Sequence, residues 1–128
     1  MSSQKEAQKK PLSAEDLNAL IVDSIQDIKG KNIVKIDLRQ LDDAPTDFFI
    51  ICEGDSTTQA KAIADNIYGR LKKEEGLLPL HYEGQQNALW MLLDYFNTVV
   101  HVFYKEKRSY YELEDLWGDG IFTEYQNL

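Results

Sequence analysis

Side chains with the potential for chemistry are sparse in this chain. The first place to look is Gly54-Asp55-Ser56, which follows the apolar run Phe48–Cys52 and precedes a helical stretch. A Gly-Ser turn between strand and helix, followed by an Asp-x-Asp pair, can hold a nucleoside triphosphate and its magnesium. It does so because two carboxylates on one strand face set two metal ions close together. The second half of that arrangement is missing: Asp37 lies upstream, and the following helix carries Asp65 alone. Zinc needs three or four convergent ligands; the chain offers His81 and His101 with no local HxxxH or CxxC spacing. His101 falls inside a β-branched run and reads as a hydrogen-bonded structural imidazole. Cys52, the single cysteine, reads as a small buried core residue with no base beside it, and alone it forms no intrachain disulfide. No G-x-S-x-G elbow, P-loop or G-x-G-x-x-G is present. The expectation is no catalysis, no metal site and no cofactor.

The elements that would position any site are organised around Ala88–Tyr104, ALWMLLDYFNTVVHVFY. Two apolar runs, Leu89–Leu93 and Thr98–Tyr104, flank the turn Asp94-Tyr95-Phe96-Asn97, which predicts a hairpin. The second run is β-branched and aromatic with both alternating faces mostly apolar, so it predicts a strand covered on both sides.

Upstream, Met1–Pro11 is polar and reads as a disordered tail ending near residue 12. Ser13 offers an N-cap to a helix carrying Leu17, Leu20, Ile21, Ile25 and Ile28, with Gly30 at its end. Asn32–Leu38 alternates, with Val34, Ile36 and Leu38 on one face and Ile33, Lys35 and Asp37 on the other. Phe48–Cys52 reads as a strand covered on both faces. Ser56 or Thr57 then caps a helix with Ala60, Ile63, Ala64, Ile67 and Leu71 on one stripe, closed by Gly76. The stretch Leu77–Gly84 leads to another short strand, and Pro79 suits a strand's start or edge because it cannot donate to a ladder. Ser109–Trp117 predicts a terminal helix with Tyr110, Leu113 and Trp117 on one side, stopped by Gly118. The order is helix, strand, strand, helix, strand, strand, strand, helix. It predicts an α/β fold with one mixed sheet of about five strands and helices on its faces. The domain is expected over 13–118, with 119–128 as an unassigned extension.

Length and charge narrow the function. A chain of 128 residues with 43% hydrophobic content suits a single core. No apolar run reaches the ~20 residues of a membrane span, and the N-terminus lacks a signal-peptide h-region; a cytoplasmic location is the expectation. The formal net charge is −8. Nucleic-acid binding depends on phosphate neutralisation by Lys and Arg, and here the field has the wrong sign. From Ser109 onward there are acidic residues and no Lys or Arg, and the aromatics sit among acidic residues. An acidic domain is steered towards basic partners, so direct sequence-specific nucleic-acid binding is not expected.

Five stretches, in order, carry a family resemblance: IICEGDSTTQAKAIAD (Ile50–Asp65), GLLPLHYEG (Gly76–Gly84), Trp90 and Asp94 as W-x-x-x-D, VVHVF (Val99–Phe103) and YYELEDLW (Tyr110–Trp117). Together they resemble the Iojap family, the ribosomal silencing factors, over roughly Leu17–Trp117. The resemblance implies a nucleotidyltransferase-like α/β domain without the catalytic carboxylates. It also implies binding to the large ribosomal subunit through its fourteenth large-subunit protein, on the inter-subunit face. That position would block the small subunit from joining and lower translation when nutrients are scarce. A homodimer is implied for the free protein. Carried onto this sequence, the pattern makes Tyr82, Glu83, Gly84, Trp90, Asp94, Tyr111, Glu112 and Leu113 the expected partner-binding residues. Arg108 is an alternative structural tie between the terminal helix and the sheet. The competing readings are a nucleotidyltransferase-like enzyme using the Gly54–Ser56 turn, and an interaction domain for another basic protein.

Overall fold

The computed structural model describes residues 12–128; the tail expected over 1–11 lies outside the described residues. Ser13 caps α1 (Ala14–Asp27) by accepting the Asp16 N–H at 3.1 Å, as the sequence predicts. After β1 (Lys31–Asp37) and β2 (Phe48–Gly54), Ser56 caps α2 (Thr57–Glu75) through the Gln59 N–H. Gly76 ends α2 in the left-handed conformation, at φ 63°, where a residue without Cβ is unstrained. There follow β3 (His81–Glu83), β4 (Trp90–Asp94), β5 (Thr98–Tyr104), α3 (Lys105–Tyr111), α4 (Leu113–Leu116) and β6 (Ile121–Glu124).

One mixed sheet runs in the order β3-β4-β5-β2-β1-β6. Only β2 and β5 pair in parallel; the other neighbours are antiparallel. The two central strands are buried along almost their whole length, as two apolar faces require. Those faces are covered unequally. On one, α1 and α2 pack Leu17, Ile21, Ile25, Ile63 and Ile67 against Ile50, Cys52, Val100 and Val102. Full burial of each such large side chain is worth about 1.5–3 kcal/mol. The other face gathers Val34, Ile36, Phe49, Ile51, Val99 and Phe103 and is covered by little more than Leu113, Trp117 and the loop around Leu41 and Ala44. Both faces are buried, the second under fewer covering elements than the first.

Three features depart from the sequence reading. The sheet has six strands where about five were expected, because 121–124 pairs with β1. Four exposed residues carry no alternation signal, yet the open edge of β1 supplies their hydrogen-bond partners. Tyr125, also in the segment set apart as an extension, donates its N–H to the Ile33 carbonyl and packs on the core. The expected terminal helix over 109–117 starts at Lys105 and breaks at Glu112, whose φ is 50°. The break lets Arg108 meet Glu114 six residues on, a spacing that a straight helix turns to its far side. Tyr110 consequently stays exposed, while Leu113 and Trp117 reach the sheet.

Candidate partner-binding face

The less covered face is built by alternation. On β4, the residues Trp90, Leu92 and Asp94 point the same way, and on β5 they are paired with Phe103, His101 and Val99. Register places Glu83 of β3 beside Leu92. At the centre the Trp90 indole N–H donates to Nδ1 of His101 at 3.0 Å. Trp90 stacks on Phe103, with ring centroids 5.4 Å apart, and Phe49 meets His101 edge-on at 4.8 Å. Trp117 closes the group against Phe49 at 6.0 Å.

Because Nδ1 accepts, the imidazole is neutral with its proton on Nε2. His101 is 4% exposed, and this burial pushes its pKa down to about 4. That makes it a structural imidazole, as its strand position predicts. Trp90 is half-buried in the same cluster, part core and part surface.

Acidic groups lie on the same sheet face and at α4. Glu83, Glu112 and Asp115 are exposed and Asp94 is half-buried. Asp94 also shapes its own turn, its Oδ1 accepting the Phe96 N–H at 3.0 Å. Arg108 anchors the α4 side. It donates to Glu53 at 3.1 Å, to Glu114 at 3.0 Å and to the Asn32 carbonyl. Its side chain is 10% exposed and that of Glu53 13%, so the pair is largely shielded from water. This is the tie between terminal helix and sheet that the sequence offers as its second use.

The expected site residues do not all meet. Trp90, Asp94, Glu83 and Leu113 share this face. Tyr82 alternates to the helical side, where it stacks on Tyr68 at 5.7 Å and donates its hydroxyl to Asp65 at 2.8 Å. Burial, reinforced by that carboxylate, raises its pKa. Gly84 is structural: its φ is 89°, and a Cβ there would collide with the Trp90 carbonyl oxygen. Glu112 forms the break between α3 and α4, and the side chain of Tyr111 lies outside the described residues. Phe49, Phe103 and Trp117, absent from the sequence-derived set, complete the cluster. The alternation of β2 and β5 marks the first two, but not their pairing with the second tryptophan.

The possible reaction centres are otherwise engaged. Asp55 is bound to Lys31 at 2.8 Å, its N–H is held by Gln59, and Ser56 is occupied as a cap. Asp37 is paired with Arg39 at 2.8 Å. Cys52 is fully buried on the helical side, and desolvation raises its pKa to about 12. Among the described residues, no three His, Cys, Asp or Glu side chains are placed to hold a metal ion.

A family model described as ribosomal silencing factor during starvation matches residues 11–127. The chain belongs to the ribosomal silencing factor family. Among the family's named members, the ribosomal silencing factor of Halalkalibacterium halodurans is 36% identical over 117 residues, covering 91% of this chain and 98% of that protein. That of Bacillus subtilis is 41% identical over 94 residues, covering 73% and 78%. A chloroplastic Iojap protein of Arabidopsis thaliana is 33% identical over 79 residues, 62% of this chain and 32% of that one. A crystal structure from Chromobacterium violaceum superposes with a TM-score of 0.77 at 35% identity, covering 83% and 87% of the two chains. The α/β silencing-factor fold with its single mixed sheet is thereby established for this chain. The family match also reaches past residue 118, through the strand β6 that the sequence reading left unassigned.

Proposed function

We propose that this protein represses translation by seating on the large ribosomal subunit, through its fourteenth large-subunit protein, and excluding the small subunit by volume. Membership of the silencing-factor family supports the subunit, and the second sheet face supports the mode. The observation that carries the reading is the Trp90–His101–Phe103 cluster on the sheet face that also carries Glu83 and Asp94. The partly exposed Trp90, backed by a buried aromatic centre, supplies a few high-value contacts, and the acidic residues beside it steer a basic, RNA-bound protein into register. No turnover is needed, so silencing scales with occupancy. In the free protein a homodimer belongs to the same reading; β6 ends the sheet with Ile121 and Phe122 exposed. Bacterial cytoplasm, where such subunits assemble, is the corresponding location.

Sedimentation tests this directly. Purified protein is expected to co-sediment with isolated large subunits and to inhibit joining at one copy per subunit. Large subunits that leave it in the supernatant, or that still join small subunits with it bound, would overturn the reading.

A further inference from the structure

Beyond Asp94, at the tip of the β4–β5 hairpin, Phe96 is held in an unfavourable state for its type. Its φ is 73°, a left-handed conformation that a bulky L residue rarely adopts, and it is 71% exposed. Burial within the chain therefore does little to offset the strain. The turn nonetheless fixes it. Asp94 takes its N–H, its carbonyl accepts the Thr46 hydroxyl at 3.2 Å, and the next carbonyl, of Asn97, accepts the Phe48 N–H at 3.0 Å. The ring flanks a hollow of about 420 Å³ lined by Leu38, Leu41, Ala44 and Pro45. Strain preserved at a rigid, exposed aromatic is the pattern of a preorganised contact residue.

The surroundings of the hollow specify charge. Asp47 lines it, and Asp42 and Asp43 are exposed in the same loop. The lining cation, Arg39, is already chelated by Asp37 through two hydrogen bonds. Such a site repels phosphate and attracts ammonium or guanidinium. We propose that this hairpin end is a second docking surface, for a short cationic segment of a protein partner that inserts an apolar side chain beside Phe96. Phe96 acts as the anchor and the three aspartates select the sign of the segment. The surface adjoins the Trp90 face, since Leu38, Leu41 and Ala44 pack in the same cluster as Trp90, but it does not depend on the silencing reading.

The test uses the full chain and three labelled octapeptides. One has two central leucines flanked by lysines, one replaces the leucines with alanine, and one replaces the lysines with glutamate. In low salt, anisotropy is expected to show the first binding at least tenfold more tightly than the others, with amide shifts centred on residues 41–47 and 96. Phe96→Gly is expected to raise Tm, by releasing the strain, and yet weaken that peptide at least fivefold. Asp43→Lys should weaken it with Tm unchanged. Equal binding of the alanine peptide, shifts centred elsewhere, or unchanged affinity in both variants would overturn the proposal. So would octauridylate producing the same shifts, since the surface would then be a nucleic-acid site.

Discussion

Trp90 and His101 occupy diagonal positions on β4 and β5, joined by a single N–H···N bond of 3.0 Å. The bond fixes the histidine tautomer and holds the tryptophan ring against Phe103. The indole is thus fixed in the sheet by one hydrogen bond and one stacking contact.

Burial of the same histidine makes stability depend on pH. Folded His101 titrates near 4, against 6.5 for the ordinary side chain. Between those values the unfolded chain binds a proton that the folded chain refuses, so stability falls as pH drops through the window. The loss amounts to roughly 3 kcal/mol by the linkage of 1.36 kcal/mol per pKa unit. Urea unfolding from pH 7.5 to 4 is expected to show this in the wild type. His101→Gln, which has no titrating ring, should show a correspondingly flatter profile.

Arg108 is expected to be the most sensitive charged position. Arg108→Met leaves Glu53 shielded from water without its cation and detaches Glu114. Removing one partner of such a buried pair costs about 3–5 kcal/mol. Denaturant unfolding reads that loss, and hydrogen exchange should rise first in Leu113–Trp117.

Gly84 and Gly76 both have positive φ but differ in space. A Cβ at Gly84 would collide with the Trp90 backbone, whereas nothing lies within 4 Å of one at Gly76. Gly76→Ala should cost about 1 kcal/mol, the conformational term alone. Gly84→Ala adds the steric one and should cost more than about 3 kcal/mol. Paired thermal or urea melts check the order.

Charge reversal tests the acidic rim. Glu83→Lys, on exposed β3, should leave Tm within about 1 °C of wild type, as surface substitutions usually do. It should weaken large-subunit binding about three- to tenfold at 0.1 M salt, with the difference shrinking as salt rises. Asp94→Lys should weaken binding too, but it also removes the acceptor for the Phe96 N–H and lowers Tm. Subunit titrations at two ionic strengths, alongside melts, separate the effects.

Cys52 should be inert in the native protein. Full burial and a thiol pKa near 12 leave almost no thiolate at pH 8. A thiol reagent is expected to modify it only as fast as the protein unfolds.

Local signals made much of this molecule legible from its residues. The Ser13 and Ser56 caps, the Gly76 stop, the hairpin at 94–97 and the two-sided strand at 98–104 each depend on neighbours in the chain. Short-range hydrogen bonding and alternation therefore determine them, and the run of family-like stretches needed only order. The elements assembled by distant contacts were decided by the tertiary structure. β6 exists because β1 has an open edge; nothing in Ile-Phe-Thr-Glu demands a strand. The helix expected over 109–117 breaks at Glu112 because Arg108 must reach Glu53 and Glu114 together, and Glu53 lies on β2, far away in sequence. Alternation groups Trp90 with Asp94 once the strand is known. Only register sends Tyr82 to the helical side, and only packing brings Phe49 and Trp117 to His101. A sequence reports the periodicity of each element, but which face meets a partner depends on which face the long helices leave uncovered.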